Sequence, residues 1–300
     1  MPAPASSEAA SAPERLALPG LILGGALIGC SPIFVRLSEV GSVSTAFWRL
    51  ALALIPLLLM AGRGEAKGAA RPATWRDRLF ISLPGVILGA ELVAWHISLQ
   101  MTSVANSTLL VNMAPVFVAL ISWAFLGKPP GRLFLLALAV TIFGVVVLKG
   151  GPAALGEGDL AGDAVAIFAA LLYAGYILML SRARERFSAP TIMLHSTAAA
   201  ALAVAPFALL TEPAFAPVTL MGWATLCALS WISQASGQSL IAWALAFLPA
   251  SFSSLTLLFQ PVVAALLAWA LLDEALTPLQ AIGGLIVLAG IWIARKAQKT

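Results

Sequence analysis

Charge is what this chain has least of: 10% of its 300 residues are Asp, Glu, Lys or Arg, while 61% are hydrophobic. Soluble domains run at about a quarter charged and about half apolar, so water is not the solvent for most of this chain. Cysteine is nearly absent. Cys30 and Cys227 lie inside apolar stretches and are too few for a disulfide framework or a structural zinc site. No Gly-rich loop of the nucleotide-cradling type is present, and the apolar stretches hold no Asp dyad, no Ser paired with a base and no His cluster at metal spacing. These absences argue against an enzyme and against a built-in nucleotide engine, and no cofactor or metal is expected. The long loops or soluble domain of a receptor or scaffold are missing too.

What the chain does have is length in apolar runs. Ten follow one another, at approximately 17–36, 43–62, 78–101, 103–126, 131–149, 161–181, 188–210, 218–246, 249–272 and 277–295. A run of about 20 residues crosses a ~30 Å hydrocarbon core as a helix. Lipid offers no partner for backbone N–H and C=O groups, and continuous rather than alternating hydrophobicity satisfies them within helices. An all-α polytopic membrane protein is therefore expected.

The net charge of +4 and isoelectric point of 9.4 do not point to nucleic acid, because the basic residues sit between the spans and form no patch. With the N-terminus inside, 14 of the 17 lysines and arginines fall in cytoplasmic segments, leaving Arg36, Arg49 and Lys149 toward the other side. That is the distribution the positive-inside rule requires, with both termini cytoplasmic. Residues 1–14, rich in Ala, Pro and Ser without a basic region before Arg15, read as a disordered tail rather than a cleavable signal.

An offset of 146 residues superimposes the third, fourth and fifth runs on the eighth, ninth and tenth without a gap. Ala114–Leu120 falls on Gln260–Leu266, Pro115 on Pro261, Trp123 on Trp269 and Gly144 on Gly290. The chain divides into a first repeat, 15–150, and a second, 151–300. Five spans is an odd number, so the second copy enters the membrane from the opposite side and the repeats are inverted. Lys128, in the break after the fourth run, aligns with Glu274 after the ninth, so the sign of the charge follows the side of the membrane. Inverted repeats are the architecture of secondary transporters.

The stretch ISLQMTSVANSTLLVNMAPVFVALISWAFL from Ile97 to Leu126, and FLPASFSSLTLLFQPVVAALLAWALLDEALTPLQAIGGLIVLAGIWI up to Ile293, carry a turn, a Pro-containing helix, a polar break and a Gly-containing helix. In this the chain resembles the drug/metabolite transporter superfamily, specifically its ten-helix EamA branch, and Phe47, Trp48 and Arg49 resemble the start of that family's second helix. The first copy departs from the pattern with Lys128 where the family usually has Glu. The resemblance implies a basket of ten helices around a central cavity, alternating access, and a place in a bacterial inner membrane. Within the branch the resemblance is nearest to exporters of aromatic and other amino acids. A small-molecule cargo in a lipid bilayer, carried by a monomer, is the expected setting; a multidrug exporter is the rival, marked by Glu91 if it faces the cavity.

Polar side chains inside the runs are the pointers to a site, since each is costly in hydrocarbon unless it faces a cavity or a partner. Trp231, Gln234 and Gln238 share a helical face, and the 146-residue offset places Leu88, Leu92 and His96 on the equivalent face, with Gln100 beyond. Glu91, about 140° around from His96, belongs to another face and is expected as a coupling carboxylate or an ion-pair partner of Arg49. Asn112 breaks the symmetry of the fourth and ninth runs, opposite Leu258, and is expected to touch substrate. Trp95, Tyr173 and Tyr176 are deep enough to wall a cavity. Pro115 and Pro261 are expected hinges.

Overall fold

The computed structural model describes residues 12–62, 70–151, 159–272 and 275–298, with backbone alone at 104, 105 and 126. Ten helical runs cross it: α1 (Ala12–Arg36), α2 (Ser42–Gly62), α3 (Trp75–Met101), α4 (104–126), α5 (Arg132–Leu148), α6 (Leu160–Arg184), α7 (Ala189–Thr211), α8 (220–244), α9 (Ala250–Leu272) and α10 (Pro278–Ala297). No strand occurs among the described residues, only an isolated bridge between Ala70 and Phe187. Eight of the ten are at least 18 residues long and apolar enough to cross a membrane unaided. The other two differ for visible reasons. α5 has 17 residues, about 25 Å of helix, with Arg132 and Lys149 at its ends. α8 changes pitch in mid-course, running through a π-helix at Leu229–Gly237.

Two sequence expectations shift. α1 begins at Ala12, inside the expected tail; residues 1–11 lie outside the described residues, as does Glu274. The expected hinge prolines fall just after interruptions rather than inside unbroken helices. α4 stops at Val111, turns through Asn112 and Met113, and restarts at Ala114 with Pro115 in its first turn. α9 narrows to a 3₁₀ turn at Leu257–Phe259 before Pro261. Proline lacks an N–H and crowds the carbonyl four residues back, and in each repeat the helix gives way over that interval.

Large apolar side chains cover the outside: Phe125, Phe143, Leu210, Leu285 and Trp292 are all exposed. The interior is built from Leu50, Leu57, Leu88, Ile177, Ile192 and Ile241, among which the second, third, sixth, seventh and eighth helices meet.

The packing has two-fold logic. α3 packs on α6 and α7, and its counterpart α8 packs on α1 and α2; α4 meets α6 as α9 meets α1. Two helix pairs, α2 with α7 and α5 with α10, join a helix to its own equivalent. At the α5–α10 seam the reciprocity extends to single residues. A Cβ on Gly144 would stand 2.6 Å from the Val287 nitrogen, and one on Gly290 would stand 2.8 Å from the Thr141 nitrogen. Thr141 and Val287, like Gly144 and Gly290, are 146 residues apart, so these are two copies of one contact. Only glycine lets the backbones come this close.

Candidate functional site

Where the repeats meet, beside the two interrupted helices, lies a cavity of about 270 Å³. Its middle is made of pairs related by the 146-residue offset: Leu88 with Gln234, Leu92 with Gln238, Thr108 with Ser254, Asn112 with Leu258, Ala114 with Gln260 and Pro115 with Pro261. The pseudo-two-fold axis therefore passes through it. The remainder of the wall is not symmetric. Ser31, Pro32 and Lys149, at helix ends on the face opposite the termini, also line it, whereas Arg295, the counterpart of Lys149, does not. The cavity is displaced toward that face.

Among the described residues the three charged ones in the wall, Arg49, Glu91 and Lys149, come from the first repeat. The second contributes Tyr173, Gln234, Gln238, Ser254 and Gln260, which are neutral. No ion pair within 4.0 Å joins Arg49 and Glu91 among the described residues, so of the two expected roles of Glu91 the direct pair is not formed in this structure. Arg49 Nε, Trp95 Nε1, Gln260 Nε2 and Ser31 Oγ are buried without a hydrogen-bond partner, although buried polar atoms are ordinarily satisfied. Other polar groups are held in place. Tyr176 donates to Gln238 Oε1 at 3.2 Å, Gln234 Nε2 donates to Thr197 at 3.3 Å, and Asn112 Nδ2 donates to the Thr108 carbonyl at 2.8 Å. Tyr176 is fully buried behind the wall and orients Gln238, with its ring 5.8 Å from that of Tyr173. Among the described residues no group of three His, Cys, Asp or Glu side chains is placed to hold a metal.

The structure brings together Arg49, Glu91, Trp95, Asn112, Pro115, Tyr173, Gln234, Gln238 and Pro261. It leaves out four others expected at the wall: Tyr176, which stands behind it, and His96, Gln100 and Trp231. His96 is buried but turned to its own helix, Nδ1 lying 2.6 Å from the Leu92 carbonyl. Gln100 is exposed. The wall of α3 is centred on Leu88, Glu91, Leu92 and Trp95, and from Leu88 at about 100° per residue His96 lies about 80° away and Gln100 about 120°. Trp231 is 47% exposed on the outer surface, its indole N–H donating to the Leu52 carbonyl. It lies in the π-helix, whose i→i+5 bonds widen each turn and carry Trp231 off the face of Gln234. Lys149 was not expected in the wall; its signal in the sequence was its place among the three cations outside the cytoplasmic segments.

Both rims are tied across the repeats. On the face opposite the termini, Glu39, between α1 and α2, accepts from the backbone N–H groups of Val218 and Thr219, both at 3.1 Å, and from the Thr219 hydroxyl. That hydroxyl, then the Thr219 N–H, holds the Glu39 carboxyl below its ordinary value. Nearby, Glu212 accepts from Val43 N–H at 2.9 Å, and Trp48 donates to the Phe215 carbonyl at 2.7 Å while its ring meets Trp223 edge-on. On the termini side Arg186, between α6 and α7, pairs with Asp77 in the first turn of α3 at 3.1 Å. The first-to-second loop of each repeat thus holds the start of the third helix of the other.

The model of the EamA-like transporter family matches residues 15–149 and again 160–295. The chain belongs to the EamA-like transporter family. It is accordingly a multi-pass membrane transporter of the drug/metabolite transporter superfamily, built as two EamA repeats. Among relatives outside this chain, an uncharacterized transporter of Archaeoglobus fulgidus is 28% identical over 291 residues, covering 94% of this chain and 96% of its own length. A probable terminal-alkyne amino-acid exporter of Streptantibioticus cattleyicolor is 26% identical over 269 residues, 88% and 87% of the two chains. A solved crystal structure superposes with a TM-score of 0.78 over 95% of this EamA chain and 98% of its own, at 17% identity, which establishes the shared fold.

Proposed function

We propose that this EamA transporter exports amino acids by alternating access, moving cargo from the termini side, taken as the cytoplasm of a bacterial cell, to the face opposite. The observation that carries the reading is Arg49 and Glu91 in one wall without a direct pair. A zwitterion supplies what each lacks: a carboxylate for the guanidinium fork and an ammonium for the carboxylate. Charged residues inside a membrane ordinarily pair with one another or mark a substrate path. The Streptantibioticus relative, named as an amino-acid exporter, supports the same cargo class.

Glu91 in the cavity wall also favours the rival, an exporter of cationic drugs. Two features weigh against it. Arg49 and Lys149 outnumber Glu91, and about 270 Å³ lies below the usual ~300–1,000 Å³ of drug-sized pockets.

The decisive measurement is uptake of labelled amino acids, nucleosides and cationic dyes into proteoliposomes holding the purified protein, with and without a proton gradient. Amino acid flux above empty liposomes, lowered by substituting Gln238 or Asn112, is the expected result. Flux of dyes alone selects the rival, and no flux of any candidate sinks the reading.

A further inference from the structure

The wall of the cavity carries a surplus of positive charge that a neutral amino acid leaves unanswered. Among the described residues its charged ones are Arg49, Lys149 and Glu91. With Glu91 ionised the surplus is one positive charge; with it protonated, two. Lys149 follows the last residue of α5 and is half-buried in the wall, and its ammonium has no acidic partner among the described residues. Of the four unpartnered buried atoms in the wall, Ser31 Oγ can both donate and accept, and the other three point the same way as the charge. Arg49 Nε, Trp95 Nε1 and Gln260 Nε2 are N–H groups, able to donate and unable to accept. They come from α2, α3 and α9 and line one small cavity, so the space between them asks for a ligand rich in acceptors.

We infer that the cargo is an acidic amino acid, one with a second anionic group, its α-carboxylate on Arg49, its ammonium on Glu91 and its distal anion on Lys149. This rests on the amino-acid reading above and narrows it. By place along their helices, Arg49 and Glu91 lie within α2 and α3 while Lys149 caps the end of α5 on the face opposite the termini, so Lys149 is the one nearest that face. Lys149 thereby sets specificity: the zwitterionic head is common to every amino acid, and only the distal group reaches Lys149. A site built to pair with a charged group disfavours the analogue lacking it, because the site's own group is then left unanswered.

The test compares uptake of labelled glutamate and aspartate with that of glutamine and asparagine in proteoliposomes of the full chain, for the wild type, Lys149→Gln and Lys149→Arg. The wild type is expected to favour each acid over its amide by ~10-fold or more. Lys149→Gln should bring that ratio to near one while amide flux persists, and Lys149→Arg should retain the preference. Persisting amide flux in Lys149→Gln also certifies that the variant folds. Equal wild-type uptake of acids and amides overturns the inference and leaves the amino-acid reading standing. So does an acid preference unchanged in Lys149→Gln, the result expected if the lysine only reaches up to the headgroups. No uptake of any amino acid overturns both readings.

Discussion

The two repeats share a skeleton and differ in chemistry. At the α5–α10 seam they are interchangeable, Gly144 against Val287 repeating Thr141 against Gly290. In the cavity they are not: position for position, Arg49 stands opposite His195, Glu91 opposite Gly237 and Asn112 opposite Leu258. What holds the helices together is constrained by backbone contact in both copies, whereas what touches the cavity is free to diverge. The lesson is that equivalence in packing says nothing about equivalence in function, and single substitutions can test where one ends and the other begins.

The largest effects belong to the shared skeleton. Gly144→Leu and Gly290→Leu each force a side chain into backbone of the facing helix, a clash that side-chain rearrangement cannot relieve, and overpacking of even milder kinds costs ~1–3 kcal/mol. Both should abolish recovery of monodisperse protein in detergent, to the same degree. A tolerant response at one position and not the other would break the equivalence.

Next comes the chemistry held by one repeat alone. Arg49→Gln should cut transport by at least ~30-fold, as expected for removing one side of a buried charged contact, while His195→Gln, at the matching place in the second repeat, should change it less than ~3-fold. Among the described residues the polar contact of His195 is with its own helix, 3.0 Å from the Thr191 carbonyl. Similar losses from both would show that function is spread across the two copies.

Milder and again symmetric effects are expected from Pro115→Ala and Pro261→Ala. Each lets an interrupted helix regain hydrogen bonds, so the maximal rate should fall by about 2- to 5-fold with KM nearly unchanged. A change in KM alone would mean that the interruptions shape the cavity and do not flex.

The smallest effect concerns the rims. Glu39 has a depressed pKa, so the stability its carboxylate lends is present above its ordinary value near 4.5 and is lost as pH falls through the lower folded value. Thermal unfolding followed in that acidic window should show a small loss for the wild type that Glu39→Gln flattens. An equal acid response in the variant assigns the loss to other carboxylates.

Most of the fold could be read from the residues because lipid makes a helix obligatory wherever about 20 apolar residues run together, and because the matched Pro and Gly pairs survive at one spacing. The α3 face was harder. Leu88, Glu91, Leu92 and Trp95 form a stripe as acceptable by periodicity as Leu88, Leu92 and His96, and only the neighbours on α6 and α7 decide how the helix is rotated. The π-helix at 229–237 was not legible, since its register depends on what packs around it, and Trp231 was misplaced for that reason. Lys149 was visible as a cation on the wrong side of the charge distribution, but a helix end with a lysine ordinarily reaches the headgroups, and its place in the wall is a fact of tertiary structure.

The seam of paired glycines has an implication for lineage. A five-helix unit with that face could associate with an oppositely inserted copy of itself through an isologous contact, in which any residue on one subunit is met by the same residue on the other. Such a dimer can only carry its charges in twos, and a pocket on its axis must present the same groups from either side. Joining the copies in one chain removes that obligation. A fused protein can keep a single guanidinium and a single carboxylate, and so can tell the head of an asymmetric molecule from its tail.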